Sequence, residues 1–137
     1  MEDKNSILFE LKTIFGEENS KQSAMIVDKE MFHSVYRAMV RIAATNGWHL
    51  YLVELILKNK NNQKSANNAD RFIELTSPLL RCCDVVFKYS ESQVMVLLMV
   101  KEKNDYSIPI DRIIEVWDKD GVPNVEITHK QEEVIIK

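Results

Sequence analysis

Residues able to do chemistry are sparse in this chain, and their spacing argues against most catalytic schemes. Its three histidines, His33, His49 and His129, lie far apart, and none has a second histidine or cysteine three or four positions on. A metal site read from sequence needs that spacing, and no CxxC, HExxH or glycine-rich phosphate loop occurs either. Cys82 and Cys83 are adjacent, and neighbouring residues close a disulfide only in a strained ring, so the pair reads as small buried hydrophobes in a reducing compartment. Arg37 and Arg41 stand at i, i+4 on one helix face, a solvated basic pair able to meet an acidic partner. Arg81 and Asp84 stand at i, i+3. An arginine near a helix end favours the carbonyls there, and an aspartate at the start of the next strand satisfies backbone donors. The residues alone therefore assign no catalytic group, no metal ligand and no cofactor.

The bulk properties narrow the classes further. The chain has 137 residues and 16.0 kDa, 45% apolar and 28% charged, with only three glycines and three prolines. That is one compact domain with a core large enough to fold without staples. Lys and Arg number 18 against 21 Asp and Glu, giving a net charge of −3 and a pI near 5.6. Such a chain lacks the basic excess that direct nucleic-acid binding draws on. The longest apolar runs, Leu50–Leu57 and Val94–Val100, fall far short of the roughly 18 residues that span a bilayer, and the start shows no signal pattern. The expectation is a cytoplasmic protein without membrane contact.

These residues must be positioned by a short series of elements. Ile7, Leu8, Leu11, Ile14 and Phe15 recur as one helical stripe closed by Gly16, and the polar run Glu17–Ser23 reads as a linker, so residues 1–23 form an N-terminal helix and linker ahead of a domain over 24–137. Asp28 caps a helix over Lys29–Asn46 carrying Phe32, Val35, Tyr36, Met39, Val40 and Ala43, stopped by Asn46-Gly47. Leu50–Leu57 is apolar on both faces apart from Glu54, which predicts a strand inside a sheet. After the asparagine-rich loop 59–68 comes a helix near Asn68–Cys83, with Phe72, Leu75, Leu79 and Cys82 inward and a kink or break at Pro78.

Asp84–Tyr89 and Gln93–Val100, separated by Ser90-Glu91-Ser92, predict an antiparallel hairpin. Ile110, Ile113, Ile114 and Trp117 mark a helix ending by Gly121, and Val125–Ile136 supplies one or two closing strands. Lys130, Glu132 and Glu133 suit an edge there. Met31, Met39, Met95 and Met99 read as gap-filling core residues, and Trp48 and Trp117 as packing anchors. The class is α+β, a mainly antiparallel sheet flanked by helices.

With the elements placed, Ser77–Leu98 (SPLLRCCDVVFKYSESQVMVLL) resembles the central stretch of GGDEF-type diguanylate cyclase domains. Such domains run Leu-Arg, two residues, Asp, a short strand, the GGDEF turn, then Val-Leu-Leu. A closer resemblance is to a degenerate GGDEF-like domain at the C-terminus of clostridial regulators that carry a bacterial transcriptional activator domain. Met31–Gly47 (MFHSVYRAMVRIAATNG) is similar to its "VFxxxYRxxxRxAxRxG" helix, Leu50–Leu57 to its "VFLxLLTL" strand, and Leu80–Leu98 to its "LRxxDVVARYSxSQxVVLL" stretch. The resemblance covers roughly Ala24–Ile135. It implies a nucleotidyl-cyclase, ferredoxin-like architecture.

The resemblance also marks what has changed. A working cyclase brings a carboxylate and glycine backbone against a triphosphate and Mg²⁺, which takes hard oxygen ligands. The five turn positions here are Ser90, Glu91, Ser92, Gln93 and Val94, without a glycine, and Ser92 and Gln93 replace the acid pair. The strand position for a metal-binding aspartate is Ile56, and a second acidic position nearby is Lys58. Catalytic activity is not expected. The family's Arg-x-x-Asp product site is matched by Arg81 and Asp84, which the resemblance makes candidate ligand-binding residues for a nucleotide or cyclic dinucleotide. The expected role is a non-catalytic signalling, interaction or dimerisation module of a bacterial transcription or two-component regulator, with other domains of that regulator, a protein partner or a second copy as its contact. The alternative is a small-molecule receptor at Arg81 and Asp84.

Overall fold

The computed structural model describes residues 24–60, 68–81 and 84–134. The expected opening helix, the linker Glu17–Ser23, most of the asparagine-rich loop, Cys82, Cys83 and the final residues 135–137 lie outside them. Over the described residues the order is β1 (Met25–Val27), α1 (Lys29–Asn46), β2 (His49–Asn59), α2 (Asn68–Thr76), β3 (Val85–Ser90), β4 (Gln93–Val100), α3 (Ser107–Asp120) and β5 (Val125–Glu133). Short 3₁₀ turns occupy Ser77–Leu79 and Lys103–Tyr106. The five strands form one sheet in the order β1-β3-β4-β2-β5, antiparallel except where β1 runs parallel to β3.

Local chemistry accounts for the element ends. Asp28 Oδ1 accepts the Met31 N–H at 2.8 Å, satisfying a donor in the first turn of α1, and Gly47 ends that helix at φ 68°, where a Cβ would be strained. α2 stops at Thr76, two residues before Pro78, and the chain tightens into the 3₁₀ turn, so the break falls ahead of the proline. β2 lies inside the sheet between β4 and β5, as its two apolar faces require. β5 is one of the two edge strands, and its residues from Thr128 to Glu132 are polar and exposed. One closing strand is present among the described residues.

Alternation along the strands feeds two cores. On one face Val53, Leu55, Val86, Val96 and Leu98 meet Phe72 of α2 and Ile113 and Trp117 of α3. On the other, Leu50, Val85, Phe87, Leu97 and Met99 meet Val35, Met39, Ile42 and Ala43 of α1. Trp117 is 3% exposed and donates from Nε1 to Val125 O at 3.0 Å, an anchor as expected. Met39 and Met99 are buried, and Met95 packs partly against the second core. Met31 corrects its expectation: it is 41% exposed in the first turn of α1, where its neighbour Phe32 is the residue that packs against the second core. β1 was not foreseen. Its three residues are too few to show a period, and its partner β3 is remote in sequence.

Candidate functional site

Two regions bear on function, the hairpin turn and the surroundings of Arg81. The β2–β4 register sets Ile56 directly opposite Gln93, on the face of the sheet that carries α1. The turn is tied on both sides by its own backbone. Glu91 O accepts from Ala69 N at the start of α2 at 2.9 Å, and Ser92 O accepts from Leu57 N of β2 at 2.8 Å. Inside the turn Ser90 Oγ donates to Gln93 Oε1 at 3.1 Å and accepts from Ser92 N at 3.3 Å. Glu91 is paired: Lys88 Nζ lies 3.1 Å from its carboxylate and 3.1 Å from that of Asp70 on α2. Hydrogen bonds to Glu91 and then Asp70 hold the Lys88 ammonium above its ordinary range. At the strand end the side chain of Asn68 bonds that of Asn59 at 3.3 Å, and Lys58 is exposed.

These residues do not fit a magnesium ion. Ile56 and Lys58 offer no oxygen, the Gln93 amide oxygen accepts from Ser90, and Glu91 already neutralises Lys88. Among the described residues no group of three or more His, Cys, Asp or Glu side chains gathers where it could hold a metal ion.

Around the second region, Asp84 is 1% exposed, and its carboxylate is aimed at backbone donors. Oδ2 accepts from Arg81 N at 2.9 Å and Oδ1 from Met99 N at 3.5 Å. The Arg81 guanidinium, about half exposed, donates from Nη2 to Met99 O at 2.7 Å, with Nε 3.8 Å from Asp84 Oδ2. The pair is thus brought together as the spacing suggested, and part of its hydrogen-bonding capacity clasps β4 to the segment before β3.

What remains of the guanidinium opens on a cleft of about 270 Å³ shared with Lys101, Asp105, Ile108 and Arg112. The last four come from the β4–α3 connection and α3 itself, and local sequence carries no signal linking them to Arg81. Three cations and two carboxylates line it, an arrangement able to hold an anion with a polar edge. Lys101 also reaches Trp48, its ammonium 5.8 Å from a ring centroid. Arg37 and Arg41 are exposed on α1, and neither lines the cleft beside Arg81.

No protein-family model and no curated protein matches this chain. Solved structures do. A DGC protein from Thermotoga maritima superposes with a TM-score of 0.64 at 14% identity, over 79% of this chain and 81% of that one. The diguanylate cyclase SiaD from Pseudomonas aeruginosa, solved in complex with its activator SiaC, superposes with a TM-score of 0.67 at 13% identity, over 93% of this chain and 53% of that one. This chain therefore spans about half the length of SiaD. At such identities the likeness establishes the fold: an α+β, diguanylate-cyclase-like sheet with helices on both faces. No helix among the described residues is long and apolar enough to cross a membrane.

Proposed function

We propose that this chain is a non-catalytic signalling and interaction module, built on a cyclase-like scaffold, that works by contact within or beside a bacterial transcription or two-component regulator. The observation that carries the reading is the pairing of Ile56 with Gln93. It puts an aliphatic and an amide side chain where the GGDEF resemblance asks for carboxylates, with Lys58 and Ser92 on either side. A cation needs hard, negatively charged oxygen, and an ammonium opposes it. SiaD, caught with its activator SiaC, is a fold neighbour engaged by another protein. For this chain the corresponding event is docking of a neighbouring domain, a partner or a second copy.

A second reading is favoured by one specific observation, the half-exposed Arg81 guanidinium opening on a cleft with Lys101 and Arg112. On that reading the domain is a receptor for a nucleotide or cyclic dinucleotide. Calorimetric titration with cyclic di-GMP, GTP and ATP separates the two. The interaction module gives no heat with any of them. Micromolar binding lost in Arg81→Ala would replace it with the receptor.

A further inference from the structure

Several charged side chains pair within the molecule: Lys88 takes Asp70 and Glu91, Arg71 takes Glu74, and Glu133 takes His49 and Lys103. The outer faces of α1 and α3 are different. On α1, His33, Arg37 and Arg41 follow one another at i, i+4 and are exposed, while Val35, Met39, Ile42 and Ala43 fill the opposite side of the helix. Glu30 borders that row only in the first turn, beside Lys29 and His33, so the two arginines form its net positive end. On α3, Asp111, Glu115 and Asp118 are exposed opposite Ile110, Ile113 and Trp117. At about 100° per residue the three acids share an arc of about 60°, with Arg112 and Lys119 further round the helix. Among the described residues none of Arg37, Arg41, Asp111, Glu115 and Asp118 takes part in an ion pair.

The two rows cannot meet within one molecule. α1 packs on the face of the sheet that carries Leu97 and Met99, and α3 on the face that carries Val96 and Leu98, so the sheet stands between them. Their spacing nevertheless matches. Arg37 and Arg41 are about 6 Å apart along their helix axis, and so are Asp111 and Glu115. Two guanidinium forks at that spacing can each grip one carboxylate through charge-assisted hydrogen bonds. We propose that α1 of one copy docks on α3 of a second copy through these four residues, with Asp118 extending the acidic side. Because the two patches differ, the contact is heterologous: each copy added leaves one basic and one acidic face free, so the series grows or closes into a ring instead of stopping at a pair. This names the partner for the contact role proposed above and rests on that role. The attraction is between exposed charges, so each contact is weak and salt screens it, over about 30 Å at 0.01 M and about 3 Å at 1 M.

Sedimentation velocity of the full chain over a concentration series tests this in about 20 mM and about 500 mM sodium chloride. At low salt the weight-average mass should climb with concentration from the monomer's 16.0 kDa past twice that value, and at high salt it should return to the monomer. Arg37→Glu with Arg41→Glu should abolish the climb, and so should Asp111→Lys with Glu115→Lys. All four substitutions in one chain exchange the two rows while keeping the net charge of −3, and should restore it. These side chains lie outside both cores, so circular dichroism should show the same fold in every variant. A chain that stays monomeric at low salt, a mass that stops at two copies, a climb that survives either pair of reversals, or an exchange that restores nothing would each overturn the proposal. A monomer would leave the contact role to a different partner; that role itself stands or falls on the calorimetric titration with nucleotides, so the two failures are distinct.

Discussion

Ile56 of β2 and Gln93 of β4 face one another across the sheet, and the hairpin that carries Gln93 is held shut by two backbone bonds, Ala69 N to Glu91 O and Leu57 N to Ser92 O. The turn thus takes its shape from the strand and helix beside it. With Lys88 bridging Asp70 and Glu91, the charges nearest the turn also satisfy one another. A site arranged in this way has its polar groups spent on internal contacts, which suits a scaffold used for its surfaces.

The first prediction separates the two halves of the Arg81–Asp84 pair. Asp84 is buried and accepts from the Arg81 and Met99 backbone amides, so Asp84→Ala leaves buried donors unmet and should cost about 2–3 kcal/mol. Arg81→Ala removes a half-exposed side chain and should cost under about 1 kcal/mol. Urea denaturation measures both. Equal losses would mean that the guanidinium holds β4 to this segment as firmly as the carboxylate does.

A second prediction concerns the C-terminal end of α3. A Cβ on Gly121 would sit 2.5 Å from both Trp117 Cδ2 and Trp117 O. The indole cannot swing aside, because Val125 O holds its Nε1 and Phe72 packs at 5.6 Å. Gly121→Ala should therefore cost about 2 kcal/mol through overpacking. Gly47→Ala meets no atom within 4 Å, yet its φ of +68° should cost about 1 kcal/mol. Melting temperatures of the two variants should rank in that order; the reverse order would refute the packing argument.

Alkaline pH supplies a third. The Lys88 proton is held more tightly folded than unfolded, by its hydrogen bonds to Glu91 and Asp70. Between the ordinary lysine value of 10.5 and the raised folded value, the unfolded chain has released a proton that the folded chain keeps, so stability falls as pH rises. Tyr51 acts in the same direction from its ordinary 10.0, raised by burial first and then by Glu133 and Tyr106. The melting midpoint should be insensitive to both groups below about pH 10 and should drop above it. In Lys88→Met that drop should be shallower, and identical slopes would show that the triad carries no linkage.

Much of this arrangement was legible in the sequence wherever the cause is local. Asp28 and Gly47 bound α1 through chemistry within a turn, Pro78 enforces the break after Thr76, and the polar residues of β5 announce an edge. Ile56, Ser92 and Gln93 were singled out by a resemblance rather than by local chemistry, and what the sheet register adds is that Ile56 and Gln93 are paired. What escaped depends on contacts distant along the chain. β1 exists because β3 offers it an edge, and Met31 is exposed because Phe32 takes the core-facing place in that turn. Lys88 meets Asp70 only because α2 lies over the hairpin, and Lys101 and Arg112 join Arg81 only once α3 has folded back.

The central claim is that this cyclase-like scaffold does not polymerise nucleotides. Purified full chain should be incubated with GTP and Mg²⁺, and the products resolved by ion-exchange chromatography. The account predicts no pyrophosphate and no cyclic dinucleotide above a protein-free control. Steady product formation that disappears in Glu91→Ala would contradict it.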